Sequence, residues 1–235
     1  MTQQKQRIWE LDALRGICII GMIFVHLFFD LRVFGGLELN LPEWFIFVRS
    51  YGHVLFVLLS GICATFTSKN LKRGVSVFCA GLLITYATMY MEQILHMGEF
   101  RIWFGILHML GACMILYPLF KKLPWWALAL IGAAFVALGF WLEGVEVSVD
   151  YFFPIGLHSD HFFSSDYFPL FPGLGWFILG AAIGKTAYKK KQSLLPKVNS
   201  DFFLLRFFRF VGRHSLVFYL FHQPVLAIAV MIIFA

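Results

Sequence analysis

A chain of 235 residues that is 60% hydrophobic and only 14% charged, with a mean hydropathy of +0.79, carries far more apolar side chain than a soluble core of that size requires. The formal net charge of +6 invites a nucleic-acid partner, but the placement of the charge excludes that reading. What remains is an all-α, polytopic membrane helix bundle, taken as a single transmembrane domain over 1–235.

Apolar stretches of about 17 to 24 residues recur, close to the length that spans a ~30 Å hydrocarbon core. The first, Leu11–Phe34, follows Lys5 and Arg7 as a signal peptide would. It is too long for one, holds His26 and Asp30, and lacks a small-x-small cleavage pattern, so it reads as a retained helix. Further spans are expected at Trp44–Phe66, Gly74–Leu95, Ile102–Phe120 and Trp125–Trp141. A long connection over 143–169 follows, acidic and aromatic, with Pro154, His158, His161 and the run Asp166-Tyr167-Phe168-Pro169. Its aromatic content predicts order and a role.

The sixth span, Leu170–Tyr188, contains Gly180 and Gly184 at the spacing of close helix packing. A second long connection, 185–213, opens with Lys189-Lys190-Lys191, charge suited to an anionic inner leaflet. Asn199, Ser200 or Asp201 is placed to cap a helix in which Arg206, Arg209 and Arg213 share one face among aromatics, the pattern of an interfacial amphipathic helix. The last span, Leu216–Phe234, brings the total to about seven. Cys18, Cys63, Cys79 and Cys113 all fall inside spans without a C-x-x-C pair and read as packing residues.

Taking the spans alternately, one side of the membrane holds every basic residue of the 19 except Arg32, Arg49 and Arg101. The other side holds Glu38, Glu43, Glu92, Glu99, Glu143, Glu146, Asp150, Asp160 and Asp166. The positive-inside rule then places the N-terminus in the cytoplasm and the C-terminus outside. The expected protein is a multi-pass one of the plasma (inner) membrane, with membrane lipids as its surroundings.

Ionisable groups at membrane depth are costly, and each is a candidate for function. His26, His53, His108 and His222 qualify. On the first helix Asp12, Arg15, Ile19, Met22, His26 and Asp30 recur every three or four residues and form one stripe. Arg15 and His26 share a face roughly 16 Å apart along the axis. Asp30, one turn beyond His26, is expected to hold its imidazole in one tautomer. By spacing alone, an interfacial Asp12–Arg15 pair and a purely structural His26–Asp30 contact stand beside the functional reading.

The run Arg7-Ile8-Trp9-Glu10-Leu11-Asp12-Ala13-Leu14-Arg15-Gly16, with His26 and Phe29-Asp30-Leu31 after it, resembles the membrane acyltransferases. The resemblance is to the bacterial branch of the heparan-alpha-glucosaminide N-acetyltransferase catalytic-domain family, and more widely to acyltransferase-3-type enzymes. Later matches follow in order: Phe56-Val57-Leu58-Leu59-Ser60-Gly61 with Lys72-Arg73, and Phe104-Gly105-Ile106-Leu107-His108. Then come Asp166-Tyr167-Phe168-Pro169-Leu170-Phe171-Pro172, Gly212-Arg213-His214-Ser215-Leu216, and Tyr219-Leu220-Phe221-His222-Gln223-Pro224.

The resemblance implies transfer of an acetyl group from cytoplasmic acetyl-CoA to a hydroxyl or amine of an extracytoplasmic sugar or glycan. Arg15 and His26 match the arginine–ten residues–histidine pattern of the acyltransferase-3 relatives. His26, as base or as acyl carrier, His108, His222 and Asp30 are the expected catalytic set. Arg15, Lys72, Arg73, Arg206, Arg209 and Arg213 lie where CoA phosphates would arrive. Asp166 and Tyr167 are expected to meet the acceptor. No metal is expected, and homo-oligomerisation is left open. The competing readings are a proton-coupled transporter or flippase, in which the histidines relay protons, and a bis-histidine haem electron-transfer protein.

Overall fold

The computed structural model describes residues 8–95, 100–198 and 202–234. Among these residues eight α-helices are formed: α1 (Trp9–Val33), α2 (Glu43–Ala64), α3 (Asn70–Leu95), α4 (Ile106–Phe120), α5 (Trp125–Leu142), α6 (Leu170–Thr186), α7 (Phe203–Arg213) and α8 (Ser215–Phe234). A 3₁₀ turn, Phe153–Ile155, lies between α5 and α6. Among the described residues the β pairing is confined to one isolated bridge, Phe104 with Tyr167.

The seven expected spans all fall on helices. α1, α2, α3, α5 and α8 are long and apolar enough to cross a membrane, whereas α4 with 15 residues and α6 with 17 are shorter. Leu83, Tyr86, Leu130, Phe221, Val225, Ile228, Ile232 and Ile233 are all exposed on these helices. In water such continuous apolar faces would drive association, while lipid is a solvent in which they need no protein partner. Trp125 and Trp126 open α5 and Trp141 lies near its end, the placement of aromatic belts at both interfaces. The protein is therefore a polytopic helical membrane bundle.

Helix ends follow local chemistry. Glu10 and Asp12 stand in the first turn of α1 and Arg32 in its last, each opposing the helix dipole. Pro124 and Pro169 precede α5 and α6 with extended backbone, setting where the helices begin. The buried Asn70 opens α3 and closes the α2–α3 turn, its amide donating to the Ala64 and Thr67 carbonyls at 2.9 and 3.1 Å. α4 starts at Ile106, four residues after the expected Ile102, because the chain before it is extended and pairs with the 164–168 segment. The proposed caps of α7, Asn199, Ser200 and Asp201, lie outside the described residues.

Contacts gather into two compact units, one made of the chain up to Leu59 together with that from Lys190 onward, the other of Ser60–Lys189. In the first, α1 packs on α7 and α8. A side chain at Gly16 would strike the Phe208 carbonyl, and one at Gly212 would strike the Asp12 carbonyl, so α7 lies backbone to backbone on α1. In the second, α3 packs on α4, and α6 on α4 and α5. Gly132 and Gly175 face each other across α5 and α6, and a Cβ at Gly175 would lie 2.7 Å from the Gly132 carbonyl oxygen. Gly184, of the expected close-packing pair, meets Thr65 and the Ile62 carbonyl, while Gly180 is buried. These are the small-residue contacts by which helices associate in lipid.

Candidate active site

In the first unit α1 and α8 bring His26 and His222 together, ring centroids 4.8 Å apart and edge-on at 63°. One turn further along α1, Asp30 is fully buried. Its Oδ1 accepts a 2.9 Å hydrogen bond from Gln223 Nε2 on α8. Asp30 is thus fastened to Gln223, not to His26 as the spacing on one helix suggests. The donor comes from α8, which packs on α1.

Hydrogen-bond direction fixes the state of His222. Its Nδ1 lies 2.7 Å from the Tyr219 carbonyl oxygen, which only accepts, so Nδ1 carries the proton. In a neutral imidazole Nε2 then bears the lone pair, and that atom is buried with no partner among the described residues. Two more buried acceptors nearby in the fold are in the same condition, Asp30 Oδ2 and Gln223 Oε1. Buried polar atoms are rarely left unpaired, which makes these three, on adjoining helices, candidates for contact with a bound group.

His108, in the second unit, is different. It is 2% exposed, stacks on Phe104 at 5.4 Å and meets Phe78 edge-on at 5.5 Å. The Gly105 N–H donates to its Nδ1 at 3.2 Å. Its Nε2 lies 3.3 Å from Thr85 Oγ1, whose own proton goes to the Ile102 carbonyl at 2.6 Å. Nε2 therefore carries the ring proton and donates it to Thr85, so both nitrogens are occupied. Gly81 on α3 makes the room, since a Cβ there would sit 2.9 Å from Nδ1.

Asp166 and Tyr167 belong to the same construction. Asp166 Oδ2 accepts from the Ile106 N–H at 3.4 Å, at the start of α4, where a carboxylate favours the helix dipole. The Tyr167 hydroxyl donates to the Phe153 carbonyl at 2.7 Å, and burial raises its pKa. His158, Phe162, Tyr167 and Phe153 make a chain of ring contacts at 5.0–5.2 Å that orders the connection between α5 and α6. Further out, Asp150 Oδ1 accepts from the Ser159 N–H at 2.7 Å, which holds its carboxyl below the ordinary carboxylate range.

The expected phosphate-binding cations divide between the units. Arg15 is half-buried on α1, and on α7 Arg206 and Arg213 are exposed and Arg209 half-buried. Arg213 Nε lies 3.3 Å from Asp12 Oδ2, so Asp12 pairs with α7 and not with Arg15. Lys72 and Arg73 stand exposed in the first turns of α3, in the second unit. His53 is half-buried on α2. No cluster of three or more metal-ligating side chains occurs among the described residues.

Three residues that matter locally stand out only in the structure. Gln223 joins α8 to Asp30 across 193 positions of sequence. Thr85 completes His108. Glu10, 4% exposed, accepts from the Leu194 N–H at 2.7 Å.

A ring nitrogen and a carboxylate oxygen without partners among the described residues thus stand on the packed apolar helices α8 and α1. A family model described as "Heparan-alpha-glucosaminide N-acetyltransferase, catalytic" matches residues 7–224, and the chain belongs to that family, as a membrane acetyltransferase. No curated protein and no solved structure shows significant similarity to it.

Proposed function

We propose that the protein takes acetyl-CoA from the cytoplasmic side of the bacterial plasma membrane and transfers its acetyl group to a hydroxyl or amine of an extracytoplasmic sugar or glycan. The observation that carries this reading is the His26–His222 pair on α1 and α8, with the lone pair of His222 Nε2 open beside it. Acyl transfer to an O–H or N–H needs a base that removes one proton as the new bond forms. A neutral imidazole with one nitrogen tied down supplies that base. Arg15 lies 11 residues before His26, roughly 16 Å along α1, a separation suited to a phosphate at one end of an extended pantetheine and a thioester at the other. Arg206, Arg209 and Arg213 add cationic surface on α7, and Lys72 and Arg73 on α3.

The 4.8 Å between the two rings leaves no space for a porphyrin, so the geometry of this pair favours acyl transfer over paired haem ligation. The test is vectorial. Purified protein is reconstituted in liposomes loaded with glucosamine, radiolabelled acetyl-CoA is added outside, and labelled sugar is measured in the lumen. Acetylated sugar that requires the protein is the expected result. Release of unacetylated sugar alone would replace the enzyme with a transporter.

A further inference from the structure

We infer that Asp30, Gln223 and His222 form the subsite for the nucleophilic acceptor, with His222 as the residue that takes its proton and Gln223 as a specificity-determining contact. The inference rests on the functional reading above and concerns which substrate this corner of the site holds. The three atoms left open here are Asp30 Oδ2, Gln223 Oε1 and His222 Nε2, and every one is a hydrogen-bond acceptor.

The assignment of each follows from its neighbour. Asp30 Oδ1 faces the Gln223 side chain at 2.9 Å, and a carboxylate can only accept, so the amide NH₂ points at Asp30 and the amide oxygen points away. The Tyr219 carbonyl orients His222 in the same manner. Three acceptors with no donor call for a ligand rich in N–H or O–H. The thioester offers a carbonyl oxygen and a sulfur, CoA phosphates offer further acceptors, and the pantetheine arm spreads two amide N–H groups and one hydroxyl along an extended chain, so no part of CoA brings three donors together. A sugar carrying hydroxyls or an amine does. Asp30 is fully buried, so the carboxylate is a built part of the site and not a surface charge.

In the reaction His222 Nε2 accepts the proton of the acceptor O–H or N–H. The acceptor oxygen or nitrogen bonds to the acyl carbon, the C–S bond breaks with its electrons on sulfur, and the imidazolium returns the proton to the thiolate. The products are the acylated acceptor and the free thiol. Gln223 Oε1 and Asp30 Oδ2 receive hydrogen bonds from neighbouring groups of the acceptor and set its angle of approach. A site built to bond a hydroxyl or amine discriminates strongly against a substrate that lacks it.

The experiment measures acetyl transfer from acetyl-CoA to glucosamine by the purified full chain, with the KM of each substrate and kcat determined separately. Gln223→Met, similar in volume but without the amide, should raise the KM for glucosamine about tenfold or more while leaving that for acetyl-CoA within twofold. Gln223→Glu sets two carboxylates against each other and should be impaired. The exchange Asp30→Asn with Gln223→Glu reverses the hydrogen bond yet keeps all three acceptor atoms, and should recover most of the lost acceptor affinity. If Gln223→Met is monodisperse and raises both KM values equally, or neither, the acceptor subsite is wrong. If Gln223→Met does not fold, the paired exchange decides, and failure of the exchange to improve on Gln223→Glu overturns the inference. A wild-type protein that transfers no acetyl group to glucosamine overturns the functional reading and this inference with it.

Discussion

His108 is a buried imidazole and His222 a half-buried one, both on apolar helices, and they are opposite in kind. His108 has each nitrogen engaged, by Gly105 and Thr85, and is flanked by Phe78 and Phe104. His222 has one nitrogen engaged and one open, beside a second imidazole, and the next residue, Gln223, holds a carboxylate with its own open oxygen. An apolar helix alone does not separate one kind of imidazole from the other. What separates them is whether the surrounding fold already uses the lone pair.

The largest expected effect tests that difference directly. His222→Ala should lower acetyl transfer by about 10²- to 10⁴-fold, the range for loss of a positioned base, with little change in melting temperature. His108→Ala removes partners from Gly105 and Thr85 and opens a cavity, so it should lower the melting temperature by several degrees. Its folded fraction should retain turnover. Rates normalised to monodisperse protein read both outcomes, and a stable, active His222→Ala protein would reverse the two roles.

A smaller effect concerns how α7 is held to α1, which carries His26. Gly212→Ala sets a methyl against the Asp12 carbonyl, an overpacking that costs about 1–3 kcal/mol. Gly21→Ala on the same α1 helix meets nothing within 4 Å and should be neutral or slightly stabilising, because alanine is the better helix former. Thermal unfolding followed by loss of monodispersity compares the two. Equal melting points would mean that α7 is not clamped on α1.

The helices were legible because lipid imposes a length and an apolar composition on each span, and Pro124 and Pro169 punctuate them. Arg206, Arg209 and Arg213 likewise fell on one helix, α7, as their three- and four-residue spacing requires. The start of α4 was not legible, since the extended residues before it are held by a segment some 60 positions away, as in the Trp103–Ser164 hydrogen bond. The candidate site divides in the same way. Spacing along α1 placed His26 and Asp30 on one face, but the partner of Asp30 comes from α8, and no local pattern connects Asp30 to Gln223. Nor does sequence say that Tyr219 orients His222, or that His108 spends both nitrogens, because a hydrogen bond's direction is a property of the folded neighbourhood. Asp166 and Tyr167 drew attention as an acidic-aromatic pair, and their polar atoms turn out to be engaged by Ile106 and Phe153.

The smallest effect lies in the connection between α5 and α6, where the pattern of engaged groups continues into exposed chain. Asp150 accepts from the Ser159 N–H at 2.7 Å, with His158 and His161 adding weaker attraction. This carboxyl therefore ionises below its ordinary value of 3.8 in the folded protein. A depressed folded pKa means that the contribution is present above the ordinary value and is lost as pH falls through the folded one. Asp150 is exposed, so solvent screens the charge and global stability should hardly move. The sensitive reporter is the Ser159 amide itself. Asp150→Asn keeps an oxygen acceptor but removes the charge, so hydrogen exchange at Ser159 should quicken at neutral pH. In acid, where the wild-type carboxyl is itself protonated, the difference between the two proteins should close. Equal exchange at neutral pH would show that the Asp150–Ser159 bond does not order this loop, and that the engaged character of the second unit stops at the ring contacts around Tyr167.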